Sequence, residues 1–405
     1  AAACYFSRAE DDRGLAMISG THKYSRQEEV VYGRPAAEAL ADVACVRLST
    51  RILVVTTRSL GGPGGLASKI ATGLGERCAG VFAGVRAHSP REDVLEGARR
   101  AGEAGADLLL AVGGGSVIDA TKVMQLCAWA GVDRADGLDA YRAGPSGDRA
   151  AIARLEATLR MVAVPTTLSA AEFTSFGGVT DLARRVKEGF AHPLLAPRAV
   201  VLDPAVTQET PPELWFSTGL KAVDHAVEQL CHPQRAPFAD ALAADGLARL
   251  ARGLRATKRN PLDEGARLEC QFGMWLAISG TTSGRGMGPS HAIGHTLGGT
   301  YGIPHGITSC VTLPAVLRWN EAADGERQRV VRELLGAVDG SASDAVRRLC
   351  RDLDLPADLA SVGIRRSELR AIAEVTMHDR GVRGGPRPIR GPEDVVEILD
   401  LAGPG

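Results

Sequence analysis

The sequence contains no run of about 18 consecutive apolar residues, so no membrane span is expected. It has almost no net charge: 47 Lys and Arg stand against 48 Asp and Glu, leaving −1. That balance gives no basic field for nucleic acid or anionic lipid. Its 8 cysteines are scattered and form no C-x-x-C pair. This argues against a zinc ribbon or a disulfide framework and fits a reducing cytoplasm. The first residues, A-A-A-C-Y-F-S-R-A-E-D-D-R, have no apolar core of the kind a secretion signal needs. Residues 1–20 are expected to be a tail or an expression remnant, with Met17 as an alternative start. Internal repeats and a G-x-G-x-x-G fingerprint are also missing.

With 405 residues, 45% of them hydrophobic, the chain can bury a large core in two domains. In the first half, short apolar strands (residues 52–57, 79–84, 107–112, 161–165 and 199–203) alternate with helical stretches, among them 94–105. That alternation predicts a parallel sheet flanked by helices. After Pro204 the segments lengthen and become helix-like, at 213–230, 238–256, 267–281 and several beyond Ser343. The expected organisation is an α/β domain over residues 21–203 and an all-helical domain over 204–405. Residues 133–148, rich in Gly and Asp, read as a surface loop.

Two segments suit a nucleotide. Gly113, Gly114, Gly115 and Ser116 follow a strand and open a helix. Glycines let backbone approach a pyrophosphate, and free N–H groups and the dipole of a helix start attract it. A plain tight turn explains the same residues equally well. V-P-T-T-L-S-A-A-E-F-T (164–174) places Thr166 and Thr167 at a strand end, where hydroxyls can bond a ribose or an amide. A helix cap using Glu172 is the competing reading.

Four of the nine histidines fall in three further segments. Lys221 and His225 are four residues apart in G-L-K-A-V-D-H-A-V-E, one helical turn or about 6 Å along the axis. His291 and His295 repeat the spacing in H-A-I-G-H, and P-H-G supplies His305 in what reads as a stiff turn. Asp224 lies about 100° around the helix from His225 and should point beside the site.

In this order, G-G-G-S-x-x-D-x-x-K, V-P-T-T, G-L-x-A-x-x-H-A-x-E and H-A-I-G-H-T-L-G-G-x-Y-x-I-P-H-G, the motifs resemble the iron-containing (group III) alcohol dehydrogenase family, from about Tyr32 to Asn320. T-T-L-S-A-A-E-F-T, F-A-G-V-R-A-H-S-P, A-P-R-A-V-V-L-D-P and H-T-L-G-G-T-Y look most like its maleylacetate reductases. The resemblance implies a dinucleotide-binding α/β domain with a parallel sheet and an all-α C-terminal domain, the dehydroquinate synthase-like fold. It implies NADH or NADPH held by Thr57, Gly113, Gly114, Gly115, Ser116, Asp119, Thr166, Thr167 and Lys187, with Lys122 on the same helix. For Lys187 a solvated charge run is an equal alternative. It implies a small-molecule substrate and a homodimer in the cytoplasm.

In metal-dependent members the ligand positions resemble 221, 225, 291 and 305 of this chain. Three are histidines here, so any metal would rest on His225, His291 and His305. The fourth is Lys221, an ammonium with no free lone pair. The expected enzyme is therefore a metal-independent reductase with Lys221, His225, His291, His295 and His305 in its catalytic site and a carboxylate-bearing substrate. His295 resembles the family's extra histidine, which can relay a proton. Arg285 is a further candidate anion contact, or an ordinary surface arginine. Arg58, after Thr57, leaves room for a 2′-phosphate. A metal-dependent alcohol dehydrogenase, a dehydroquinate-synthase-like lyase and a non-catalytic relative remain alternatives.

Overall fold

The computed structural model describes residues 21–144, 147–283 and 285–405. The expected tail over 1–20, with Met17, lies outside the described residues. The chain forms two compact units: Ser25–Thr210, and Pro211–Gly405 with the described residues up to Tyr24. The first unit runs past Pro204 for a physical reason. The turn Ala205–Glu209 buries Val206 in the core under the sheet, and Thr210 Oγ1 donates to Thr166 O at 2.7 Å.

The first unit is built on a six-stranded sheet of order β1-β8-β5-β4-β2-β3. Its strands are β1 (Glu29–Tyr32), β2 (Ile52–Val55), β3 (Cys78–Phe82), β4 (Leu108–Gly113), β5 (Arg160–Pro165) and β8 (Ala199–Leu202), and every pairing is parallel. Helices cover both faces, so central strands are apolar at every position rather than alternately. In β2, Leu53 and Val55 join one core while Ile52 and Val54 join the other. The remaining strands, β6 (Phe176–Asp181) and β7 (Val186–Ala191), form an antiparallel hairpin where the sequence shows mainly a charge run. Buried Arg91 anchors it through Glu188 and also pairs with Asp139. Residues 133–148, expected as a surface loop, include the 3-10 helix Asp136–Tyr141, which buries Leu138.

The second unit is helical. Its principal helices are Pro212–Leu230, Pro237–Arg259, Glu264–Ser279, Pro289–Tyr301 and His305–Asn320. His305 was expected in a turn but is the first residue of its helix, with Pro304 in the capping position. Close approach at small residues brings three of these helices together. A Cβ on Gly306 would lie 2.7 Å from Ser217 O, one turn before Lys221. One on Gly294 would lie 2.8 Å from Thr308 Oγ1.

Candidate active site

In the sheet unit, Thr57, Gly113 and Thr166 follow or end the neighbouring strands β2, β4 and β5. Ligands of parallel α/β sheets bind at these carboxyl ends. The 16-residue helix Gly115–Ala130 starts here, with Gly114 as its cap. The two nucleotide-like segments face each other: a Cβ on Gly114 would lie 2.9 Å from Thr167 Cγ2, and one on Gly115 2.9 Å from Ser169 Oγ. Thr167 Oγ1 and Ser169 Oγ are buried beside this turn without a hydrogen-bond partner. Buried hydroxyls in native proteins are normally bonded, so the pair fits a polar ligand on the glycine turn. Gly113 to Ser116, Thr166 and Thr167 are the residues that would hold a dinucleotide.

The rest of the expected cofactor set is more dispersed. Ser116 Oγ accepts from His88 N at 3.1 Å, and Ser89 Oγ donates to Ser116 O at 2.7 Å. Thr57 Oγ1 shares a 2.9 Å hydrogen bond with Ser59 Oγ. Exposed Lys187 and half-buried Asp119 meet over Gly178, with Lys187 Nζ 3.2 Å and Asp119 Oδ2 3.5 Å from where its Cβ would stand. Lys122 instead points inward. It is fully buried and donates to Ala171 O, Thr174 Oγ1 and Phe176 O at 2.5, 3.0 and 2.8 Å, locking the A-A-E-F-T loop. Glu172 lies within the 3-10 turn Ala171–Phe173, which has no side-chain cap.

In the helical unit the four imidazoles converge. His225 and His291 are stacked with centroids 4.9 Å apart, as are His295 and His305 at 5.2 Å. His291 stands edge-on to His305 at 5.7 Å. Burial pushes the His225 ring well below its ordinary range, with His291 and Lys221 adding to the effect. Burial also pulls His291 down to about 4, opposed by Asp224 and reinforced by His295 and Lys221. The Lys221 charge is therefore felt by both rings.

Two carboxylates complete this site. Asp224 was expected to point beside it, but its Oδ2 lies 3.4 Å from His291 Nδ1 and accepts from Ser290 Oγ at 2.9 Å. The helical-wheel angle was sound, but His291 approaches from another helix. Glu228 Oε2 lies 2.8 Å from His291 Nδ1, and its oxygens accept from Gly288 N and Ser290 N at 2.7 Å each. Burial raises both acids to about 7. Glu228 stood in the quoted motif without a role, and its three-residue offset from His225 was the available signal. The Arg285 side chain is buried, with Nη1 bonded to Asp240 at 2.8 Å, so it is neither a surface arginine nor an open anion contact on that nitrogen.

Two residue sets could be considered for a cation. His225 Nδ1 and His291 Nε2 are buried without hydrogen-bond partners, as free ligand atoms would be, but Lys221 adds a positive charge beside them. The ligand atoms of Asp224, Glu228 and His291 lie within 4.8 Å of one another. There, N–H and O–H donors already occupy both Glu228 oxygens and Asp224 Oδ2, leaving Asp224 Oδ1. Lys221 weighs against the first set; the second, with Asp224 Oδ1 open and a further lone pair on each bonded carboxylate oxygen, could hold a metal ion.

Comparison with known proteins agrees with this architecture. Residues 27–204 match the family model for iron-containing alcohol dehydrogenase, and 215–403 match the C-terminal model of the same family. Dehydrogenase ALT3 of Alternaria alternata is 34% identical over 87% of this chain and 98% of its own length. A maleylacetate reductase of Burkholderia cepacia is 30% identical over 93% of this chain and 95% of its own. The crystal structure of maleylacetate reductase from Agrobacterium tumefaciens superposes with a TM-score of 0.79 at 27% identity, covering 95% of this chain and 98% of that one. A nucleotide-type parallel sheet joined to a helical unit with clustered imidazoles defines an NAD(P)-dependent oxidoreductase. The chain belongs to the iron-containing alcohol dehydrogenase family.

Proposed function

We propose that this chain is an NAD(P)H-dependent reductase acting on the carbonyl or enone of a small, carboxylate-bearing substrate of the maleylacetate type, without a resident metal. Lys221 carries this reading. It occupies the position where metal-dependent relatives place a carboxylate ligand, and its charge depresses both His225 and His291. An ammonium offers no lone pair to a metal and adds charge against one. It suits instead the stabilisation of an oxyanion or the binding of a substrate carboxylate.

When bound, the reduced nicotinamide supplies the hydride. The chain's own residues do the rest. Glycine backbone at 113–115 and the hydroxyls of Thr166, Thr167 and Ser169 hold the dinucleotide. Lys221 offsets the negative charge that develops on the substrate oxygen. Glu228 and Asp224 fix the His291 ring through Nδ1, leaving its buried Nε2 without a hydrogen-bond partner. Arg58 is exposed after β2, where no acidic residue opposes a 2′-phosphate, so NADPH and NADH both fit. Among the described residues no helix is long and apolar enough to cross a membrane.

The decisive experiment measures reduction of maleylacetate by loss of nicotinamide absorbance before and after exhaustive chelation, with metal analysis of the same sample. Retained activity with substoichiometric metal is expected. Activity lost on chelation and restored by iron or zinc would sink the metal-free reading. That outcome would favour a metal-dependent alcohol dehydrogenase, the second reading, for which the Asp224, Glu228 and His291 set is the specific observation.

A further inference from the structure

His225 and His291 are buried and His305 is half-buried, whereas the His295 side chain is 53% exposed. His295 therefore links the imidazole cluster to solvent. Its Nδ1 lies 2.8 Å from Asp379 Oδ2, a residue 84 positions away. The other carboxylate oxygen, Oδ1, accepts from Gly381 N at 2.7 Å, so both oxygens are fixed.

The segment around Asp379 is built against the helix that carries His295. A Cβ on Gly381 would stand 2.9 Å from Gly288 O and 3.2 Å from Ala292 Cβ, and one on Gly384 2.7 Å from Met287 O. On the near side, Thr376 Oγ1 donates to Thr296 Oγ1 at 2.9 Å, beside His295. The backbone is held too closely for Asp379 to be a loose surface acid.

We propose that Asp379 is a positioning residue that fixes His295 as the Nδ1–H tautomer, leaving Nε2 as the atom that passes a proton from solvent to the developing oxyanion. The inference rests on the reductase reading above. In the step, hydride addition leaves an alkoxide or enolate. The Nε2–H bond of the His295 imidazolium breaks, its proton goes to that anion, and solvent reloads the neutral ring. An ionised carboxylate only accepts hydrogen bonds, so Nδ1 must donate to it. Burial is the largest single influence on the Asp379 carboxyl and raises it, but the His295 hydrogen bond and charge, the Gly381 N–H and His291 together hold it below its ordinary range. The carboxylate also stabilises the imidazolium that forms in each cycle.

The test separates tautomer control from mere support. In D379N the amide can keep both hydrogen bonds, with its oxygen on Gly381 N and its NH2 on Nδ1. Shape is preserved while the required tautomer reverses. Long-range 15N–1H NMR of histidine-labelled protein, with H295Q to assign the signals, is expected to show Nδ1–H in the wild type and Nε2–H in D379N. With maleylacetate, D379N should lose roughly 10- to 100-fold in kcat, with KM and cofactor affinity little changed. The double variant H295A/D379N should be no slower than H295A. Nε2–H in the wild type, or wild-type kcat in D379N, overturns the proposal. The wild-type spectrum needs no substrate, and with H295Q for assignment it can be read whether or not D379N folds. A chain that fails to reduce maleylacetate but shows Nδ1–H refutes the substrate reading and not the dyad.

Discussion

His225 and His291 lie ring on ring, 4.9 Å between centroids and 22° between planes. They come from separate helices, and each keeps one buried nitrogen without a hydrogen-bond partner. Burial disfavours charge on both rings, and Lys221 reinforces that preference. The pair is therefore neutral near pH 7, with Lys221 as a cation beside it.

Replacing that cation should change what the site binds. K221D restores a carboxylate to three imidazoles, a donor set suited to a divalent ion. Metal analysis is expected to find iron or zinc near one equivalent in K221D and far less in the wild type. K221A should lower turnover about 100-fold, the scale for losing one oxyanion-stabilising group. Steady-state kinetics with unchanged turnover would make Lys221 a structural residue.

The glycine turn should not tolerate even one methyl group. In G114A the new Cβ would meet Thr167 Cγ2 at 2.9 Å, pushing apart two segments expected to share the dinucleotide. Fluorescence titration with NADH and NADPH should show affinity reduced by roughly tenfold, or about 1.4 kcal/mol. Tight cofactor binding by G114A would count against this placement.

Lys122 supplies a pH signature. Burial lowers its ammonium from the ordinary 10.5 to about 8. Between those values the unfolded chain binds more protons than the folded one, so stability rises with pH across this window. The penalty for the buried charge is fully present below about pH 8. Urea unfolding should show wild type gaining on K122M from pH 8 to 10.5, by on the order of 3 kcal/mol. A difference that is flat or falls with pH would contradict it.

Glu228 should matter for folding as well as for the site. E228A strands the N–H groups of Gly288 and Ser290 and removes the partner of His291 Nδ1. Each buried orphan costs about 1–3 kcal/mol, so a loss of roughly 3 kcal/mol or more is expected from denaturant unfolding. E228Q, which retains one acceptor oxygen, should lose less.

Much of the fold was legible because central parallel strands and long helices impose their periods on the sequence. The short edge strand β1 and the β6–β7 hairpin were not read. Four residues such as E-V-V-Y carry little pattern, and the hairpin turn is dominated by arginines. In the site, Lys221, His225, His291, His295 and His305 were nominated by spacing and resemblance. Asp379 was invisible because its partner is distant in the chain.

By itself the sequence determined the strand–helix alternation, the glycine turn, and the lysine at a position where the motif resemblance implies a metal ligand. Those are local matters, set by backbone freedom, side-chain period and the chemistry of single residues. Only the tertiary structure decided that Asp224 and Glu228 grip His291, that Lys122 is a buried strut, and that Asp379 reaches His295. Each depends on which helix or loop crosses another, and at what distance. Lys221 thus acquired a neighbour on another helix, His291, that local spacing could not supply.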